Sequence, residues 1–273
     1  MSKSEQPVIM IPEVLPPVRQ PRRWSRHLPA RMAVQWLKQG WRDLTIDPGS
    51  SLAYGGLVFL ASVVIVGGLF LFGADYILFP ALAGFMVVGP IVAIGLYEKS
   101  RRIAAGEGIS LLRMIFVRPK SGAQILFTGV LLCLLMLLWM RAAVIVYALF
   151  FGLRPFPGLD RIATILFTTP TGWAMLLVGG GIGALFAAFS FAISVLSIPM
   201  LLEQRVDAFT AMGTSVAVVW NNLPVMLTWG AIVLGLFILS LATGLLGLIV
   251  VFPVLGHGTW HAYQALKPAV AAT

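Results

Sequence analysis

The chain has 273 residues, of which 59% are hydrophobic and 11% charged, and a formal net charge of +9. Soluble domains carry charge on roughly a quarter of their residues, so this composition excludes a soluble globular protein and points to an integral membrane protein. The cations lie beside apolar runs rather than on a soluble basic face, which argues against nucleic acid and for the anionic cytoplasmic leaflet of a membrane.

Residues 1–30 hold Pro7, Pro12, Pro16, Pro17, Pro21 and Pro29 among several arginines. Proline fixes φ and removes a backbone donor, so an extended Pro/Arg-rich cytoplasmic tail is expected, either solvated or a docking strip for a partner. No cleavable signal is visible before the first apolar run near Leu52, which is expected to act as an uncleaved insertion signal. From residue 31 to 44 a helical spacing sets Ala33, Leu37, Trp41 and Leu44, with Trp36 beside them, against Arg31, Gln35, Lys38 and Arg42. Tryptophan beside cations suits the headgroup zone.

The first span is expected over residues 52–72 and the second over 76–97, with Gly73-Ala74-Asp75 turning between them. Each has the roughly 20 residues that cross a bilayer. Pro80 and Pro90 should kink the second, and the carbonyl freed by Pro90 needs relief from Gly89 or a neighbouring helix. Residues 98–122 form a cationic connector that carries Lys99, Arg101, Arg102, Arg113, Arg118 and Lys120. Short Lys/Arg-rich loops stay cytoplasmic, and this one orients the remaining spans. Its second half reads as a helix lying in the headgroup plane, with Leu111, Leu112, Ile115 and Phe116 on one flank.

A third span follows over residues 123–153, interrupted by Arg141, then a loop over 154–172 and a fourth span over 173–202. A second connector opens with Glu203, Arg205 and Asp207 and runs to Trp220, where Asn221-Asn222-Leu223-Pro224 breaks it. Residues 225–266 fit two spans that turn near Thr243-Gly244. Three times an aromatic-rich amphipathic segment precedes a proline break and an apolar hairpin.

The expected fold is therefore all-α, about six transmembrane helices as three hairpins, each preceded by a cytoplasmic-face amphipathic helix. One polytopic domain spans residues 31–268, with hairpin units at about 31–97, 98–202 and 203–268 and a short tail at 269–273. Six spans place both termini in the cytoplasm of a bacterial inner membrane and satisfy the positive-inside rule. Five spans would move only Lys267 and the C-terminal histidines outward.

Candidate chemistry is sparse. His257 and His261 lie four apart, on one helical face, and are the metal candidates. Two ligands do not complete a site, and the alternative is an interfacial pair hydrogen-bonded to headgroups and backbone. Arg141 is an intramembrane charge, a functional hypothesis by default, that either snorkels outward or pairs with Asp160 or a partner protein. Gly179, Gly183 and Ala187 form a small-residue stripe for close helix approach, inside the chain or between subunits. Trp36, Trp41, Arg101, Arg102, Arg113 and Trp220 are expected at the membrane surface. Glu98 and Glu203 each end an even-numbered span beside an arginine, as interfacial charges or as an acid-base pair. Cys133, the only cysteine, excludes an internal disulfide and a cysteine-cluster metal site. No catalytic constellation and no cofactor is implied.

The segment WLKQGWRDL before the first span, GLYEKSRR at the end of the second and the terminal HGTWHAYQAL resemble a family of uncharacterised bacterial integral membrane proteins, over about residues 31–268. Its members are often labelled predicted integral membrane protein or cytochrome c oxidase subunit. The resemblance implies a respiratory-membrane setting and supplies no catalytic residues. The chain lacks the histidines that an oxidase catalytic subunit needs for haem and copper. The expectation is a non-catalytic inner-membrane accessory or assembly component packed against a larger membrane complex, one that the resemblance makes respiratory. The alternative is a transporter or channel for a small or lipidic solute.

Overall fold

A computed structural model describes residues 24–152 and 156–267; the expectations for residues 1–23 and 268–273 and for the loop at 153–155 lie outside them. Every regular element among the described residues is helical. Helix α1 (Met32–Thr45) turns sharply at Asp47 (φ 55°) into α2 (Pro48–Leu71), with Pro48 in the first turn, where its missing N–H costs nothing. A 3₁₀ turn (Asp75–Ile77) leads to α3 (Leu78–Val92), which breaks at Ala93 and continues as α4 (Ile94–Ala105). The short α5 (Leu111–Ile115) precedes α6 (Gly122–Phe151). Then come α7 (Leu159–Thr168), α8 (Pro170–Ser194), α9 (Ser197–Glu203), α10 (Ala208–Asn221), α11 (Leu223–Ala242) and α12 (Leu248–Leu266).

Among the described residues, five helical segments are long and apolar enough to cross a membrane: Pro48–Leu71, Asp75–Ala105, Gly122–Phe151, Pro170–Glu203 and Leu223–Ala242. The sixth expected span is not among them. It corresponds to α12, whose second half carries His257, His261 and Gln264. The turn between α11 and α12 falls where the sequence places it, with Gly244 at φ 61° and Leu245 at φ 69°. Residues 154–172, expected as a loop, contain α7, which buries Ile162 and Leu166.

Both long broken segments are repaired by a side chain from another helix. The break after Pro90 leaves the Val92 carbonyl without its helical donor, and the Tyr54 hydroxyl of α2 donates to it at 2.7 Å. At the α8–α9 break the Ser215 hydroxyl of α10 donates to the Ala192 carbonyl (2.6 Å) and accepts from the Leu196 N–H (3.2 Å). In hydrocarbon an unpaired backbone group costs several kcal/mol, so these two side chains make the breaks tolerable.

The core gathers at one end, around α12, of whose 19 residues 12 are buried. Close approach is made possible by glycine. A Cβ at Gly40 would collide with the Val254 carbonyl, and one at Gly55 with the Ile249 carbonyl. Small residues at such crossings let backbones meet and gain dispersion contacts, which drive helix association in lipid. This also rotates α1 from its expected face. It buries Ala33, Trp36, Gly40, Asp43 and Leu44, while Trp41 is 54% exposed. Trp36, expected at the membrane surface, is instead buried, edge-on to Trp229 at 6.0 Å. Part of the expected solvated tail is docked as well. The Arg26 N–H donates to Asn222 Oδ1 (2.9 Å), Asn222 Nδ2 donates to the Trp24 carbonyl (2.7 Å), and Arg26 Nη2 donates to the Lys267 carbonyl (2.6 Å).

Candidate functional site

At the α1 end four helices bring polar side chains into one buried chain. The α1–α2 turn places Asp43 and Ser51, the end of the second span supplies Lys99 and Ser100, and α12 supplies His257 and His261. Lys99, Ser51 and His257 are each 0% exposed. Burial of such groups is tolerable only when each is hydrogen-bonded, and here they are.

The bond directions follow from donor inventory. Lys99 Nζ donates to the Asp47 carbonyl (2.7 Å) and to Ser51 Oγ (2.7 Å). Ammonium has no acceptor capacity, so Ser51 Oγ–H is left to donate to His257 Nε2, at 2.9 Å. His257 then carries its proton on Nδ1 and donates to Ser100 Oγ (2.8 Å), whose own hydrogen goes to Asp43 Oδ2 at 2.6 Å. His261 Nε2 meets the same carboxylate oxygen at 2.8 Å. The result is a one-way hydrogen-bonded chain from the Lys99 ammonium to the Asp43 carboxylate. Burial raises the Asp43 carboxyl, but the hydrogen bonds from His261 and Ser100 outweigh it and hold it below the usual carboxylate range.

Two further clusters flank this chain. Glu98 is buried and accepts from Arg101 Nε and Nη2 (both 2.8 Å) and from Arg102 Nε (2.7 Å), and Arg102 also reaches Glu107 at 2.9 Å. Glu203 accepts from the Tyr263 hydroxyl (2.7 Å) and from Lys267 Nζ (3.2 Å), and Gln204 Nε2 donates to that hydroxyl at 2.9 Å. Each expected interfacial carboxylate is thus tied to cations, and neither pairs with the other.

The arrangement can hold one imidazole tautomer and relay a proton between Lys99 and Asp43 without bulk water. It presents no free nucleophile. Both nitrogens of His257 are engaged by serines, so His257 and His261 share a helical face but not a ligand. No group of three or more His, Cys, Asp and Glu among the described residues is placed to hold a metal ion.

The remaining sequence candidates fall elsewhere. Gly179 and Gly183 face α6, near Val146 and Trp139, so the neighbour of that stripe lies within the chain, and Ala187 lines a cavity. Arg141 is exposed on α6 and has no partner among the described residues; the side chain of Asp160 lies outside them. Trp220 is 73% exposed and Arg113 is exposed, with Nη1 on the Gly108 carbonyl at 3.2 Å. Asp43, Ser51, Lys99 and Ser100 were not singled out as a site. The one available signal was Asp43, which continues the apolar spacing of Ala33, Trp36 and Gly40.

On another face of α12 lies an apolar cavity of about 120 Å³, walled by α3, α4, α8, α11 and α12. The two histidines are not among its walls.

Residues 78–203 match the model of a family described as predicted integral membrane protein (DUF2189). That stretch runs from α3 to α9 and includes GLYEKSRR, whereas WLKQGWRDL and HGTWHAYQAL fall outside it. The resemblance to an uncharacterised membrane-protein family holds there. Neither the curated proteins nor the solved structures contain a match to the chain.

Proposed function

We propose that a chain with a segment of this uncharacterised membrane family is a non-catalytic component of a larger complex, an accessory or assembly subunit. Arg141 supports the reading. It is the cation of a 30-residue apolar helix, faces outward and has no partner among the described residues. A charge left in a span is costly unless paired, and a carboxylate on a neighbouring subunit is the pairing that this reading supplies. The buried chain from Lys99 to Asp43 is internally hydrogen-bonded, which suits a rigid scaffold. We place that end in the cytoplasm of a bacterial inner membrane, because Arg101, Arg102, Lys120 and Lys267 cluster there. The respiratory setting rests on the label carried by the resembling family alone.

The test is extraction from native membranes in mild detergent, with mass spectrometry and an absorption spectrum of what co-purifies. The expected result is stoichiometric membrane subunits that are lost from Arg141→Leu and kept by Arg141→Lys. Respiratory subunits with a haem spectrum would identify the complex. A bare monomer from the unaltered chain overturns the proposal. The transport reading draws on the apolar cavity, and flux in liposomes that disappears on filling it would favour that reading instead.

A further inference from the structure

Two membrane-length segments are broken, one at Ala93 after Pro90 and one between Ser194 and Ser197, and both breaks border the cavity beside α12. Its walls include Gly89, Pro90 and Ala93 from the first break, and Ser194 and Val195 from the second. Paired interruptions of membrane helices commonly border a ligand site. Here Tyr54 and Ser215 already take backbone groups that the breaks free. The hydroxyls of Ser194 and Thr259 donate to carbonyls of their own helices, Ser190 at 2.7 Å and Leu255 at 2.8 Å. The other walls are aliphatic and aromatic.

The cavity follows a seam. α11 packs on α1 and α12 but makes little close contact with α3 or α8. Phenylalanine rings bridge the gap instead. Phe85 of α3 stacks on Phe237 of α11 at 5.6 Å and lies 5.9 Å from Phe252 of α12, and Phe191 of α8 would meet a Cβ at Gly230 of α11 at 3.9 Å. The rings leave space beside them, since a Cβ at Gly89 would meet nothing within 4 Å. That space is long rather than round. Its walls run from Phe85 to Tyr97 along the second span and from Leu248 to Thr259 along α12, about 15–18 Å of helix. A volume of about 120 Å³ drawn out over that length has the shape of a hydrocarbon chain. A ring of the benzene class fills a similar volume, about 150 Å³, in one compact room. Atoms that face a void lose dispersion contacts, and the solvent at this depth is lipid hydrocarbon rather than water.

We infer that this cavity is a binding site for one acyl chain of a membrane lipid, laid along the seam between α3 and α8 on one side and α11 and α12 on the other. The acyl chain supplies the contacts that neither helix group reaches, so this lipid belongs to the fold and not to the surrounding bilayer. The site lies in the protein's own interior and is independent of the accessory role.

The test uses the full-length protein in vesicles of phosphatidylethanolamine and phosphatidylglycerol, with a trace of phosphatidylglycerol that carries a diazirine at the end of one acyl chain. Mild detergent extraction first strips the lipid that merely surrounds the helices. Irradiation and peptide mass spectrometry then locate the label. Label at Phe85, Phe191 and Val233 is expected to exceed that at Leu134 and Leu138, on the exposed face of α6, by at least about fivefold, the equivalent of about 1 kcal/mol. Gly89→Leu and Ala187→Leu each extend a wall side chain into the space. Both should lower the wall label by a similar factor and leave the α6 label unchanged, with melting curves to show that each variant is folded. Mass spectrometry of the extracted protein without the probe reads the natural occupant. One retained phospholipid per polypeptide, lost from the filled variants, supports the site, and a non-lipid molecule in its place overturns it. Wall label no stronger than that on α6, or unchanged in both folded variants, also overturns it.

Discussion

Gly55 and Gly67 lie on the same helix and differ in everything around them. Gly55 presses against the Ile249 carbonyl of α12, and an added Cβ would collide with it; at Gly67 a Cβ would meet nothing within 4 Å. The helix divides accordingly: its buried residues are Ser50, Ser51, Gly55 and Val58, all in the half nearest α1. At the α1 end, side-chain identity specifies structure through backbone contact, hydrogen bonds and buried charge. At the far end only length and apolarity are specified, since lipid solvates Leu71 and Phe72 as well as another helix would.

The sharpest way to break this contrast is Lys99→Met. Removing one charge from a buried, hydrogen-bonded set costs about 3–5 kcal/mol, read as a large drop in thermal stability of the detergent-solubilised chain. The double variant Lys99→Met with Asp43→Asn should recover more than half of that loss. Gly40→Leu follows at about 3 kcal/mol, from collision with α12, against less than about 0.5 kcal/mol for Gly67→Leu. A melting series over both glycines measures the difference directly.

Acid sharpens the comparison further. The folded-state carboxyl of Asp43 is depressed, so its contribution is fully present above the ordinary carboxylate pKa and is lost as pH falls through the depressed value. Thermal stability measured from neutral pH downward should fall below about pH 4. The fall should be shallower in Asp43→Asn, and an identical acid limb in the two proteins would contradict the depressed carboxyl. Smaller still is Tyr54→Phe, which removes the donor to Val92 at the α3–α4 break and should cost about 1–2 kcal/mol. Hydrogen exchange should quicken there and not at the α8–α9 break, which Ser215 holds independently.

The fold was legible where length and apolarity decide it. The 30 residues of α6 and the turn at Thr243-Gly244 need no tertiary information. α7 was hidden by its flanking prolines, although Leu159, Ile162 and Leu166 carry helical spacing. The face of α1 was misread because Trp41 outweighs Gly40 on any hydrophobic scale, whereas the crossing with α12 selects the residue without a side chain. The polar chain was illegible for a related reason. His257 and His261 stood out, but their partners Ser51, Ser100 and Asp43 come from other helices, and a serine carries no signal until a histidine faces it.

The order of synthesis runs against the order of packing. Among the described helices α12 is made last, and it is the one against which α1, α2 and α4 are set. At about 5–20 residues per second, α1 waits on the order of ten to forty seconds for the surface that buries Ala33, Trp36 and Asp43. During that interval the first two spans can be inserted by apolarity alone, while Lys99 and Asp43 have no His257 between them. A chain released before α12 emerges would thus have all five of the membrane-length segments and none of its centre, with an exposed charge at the α1 end.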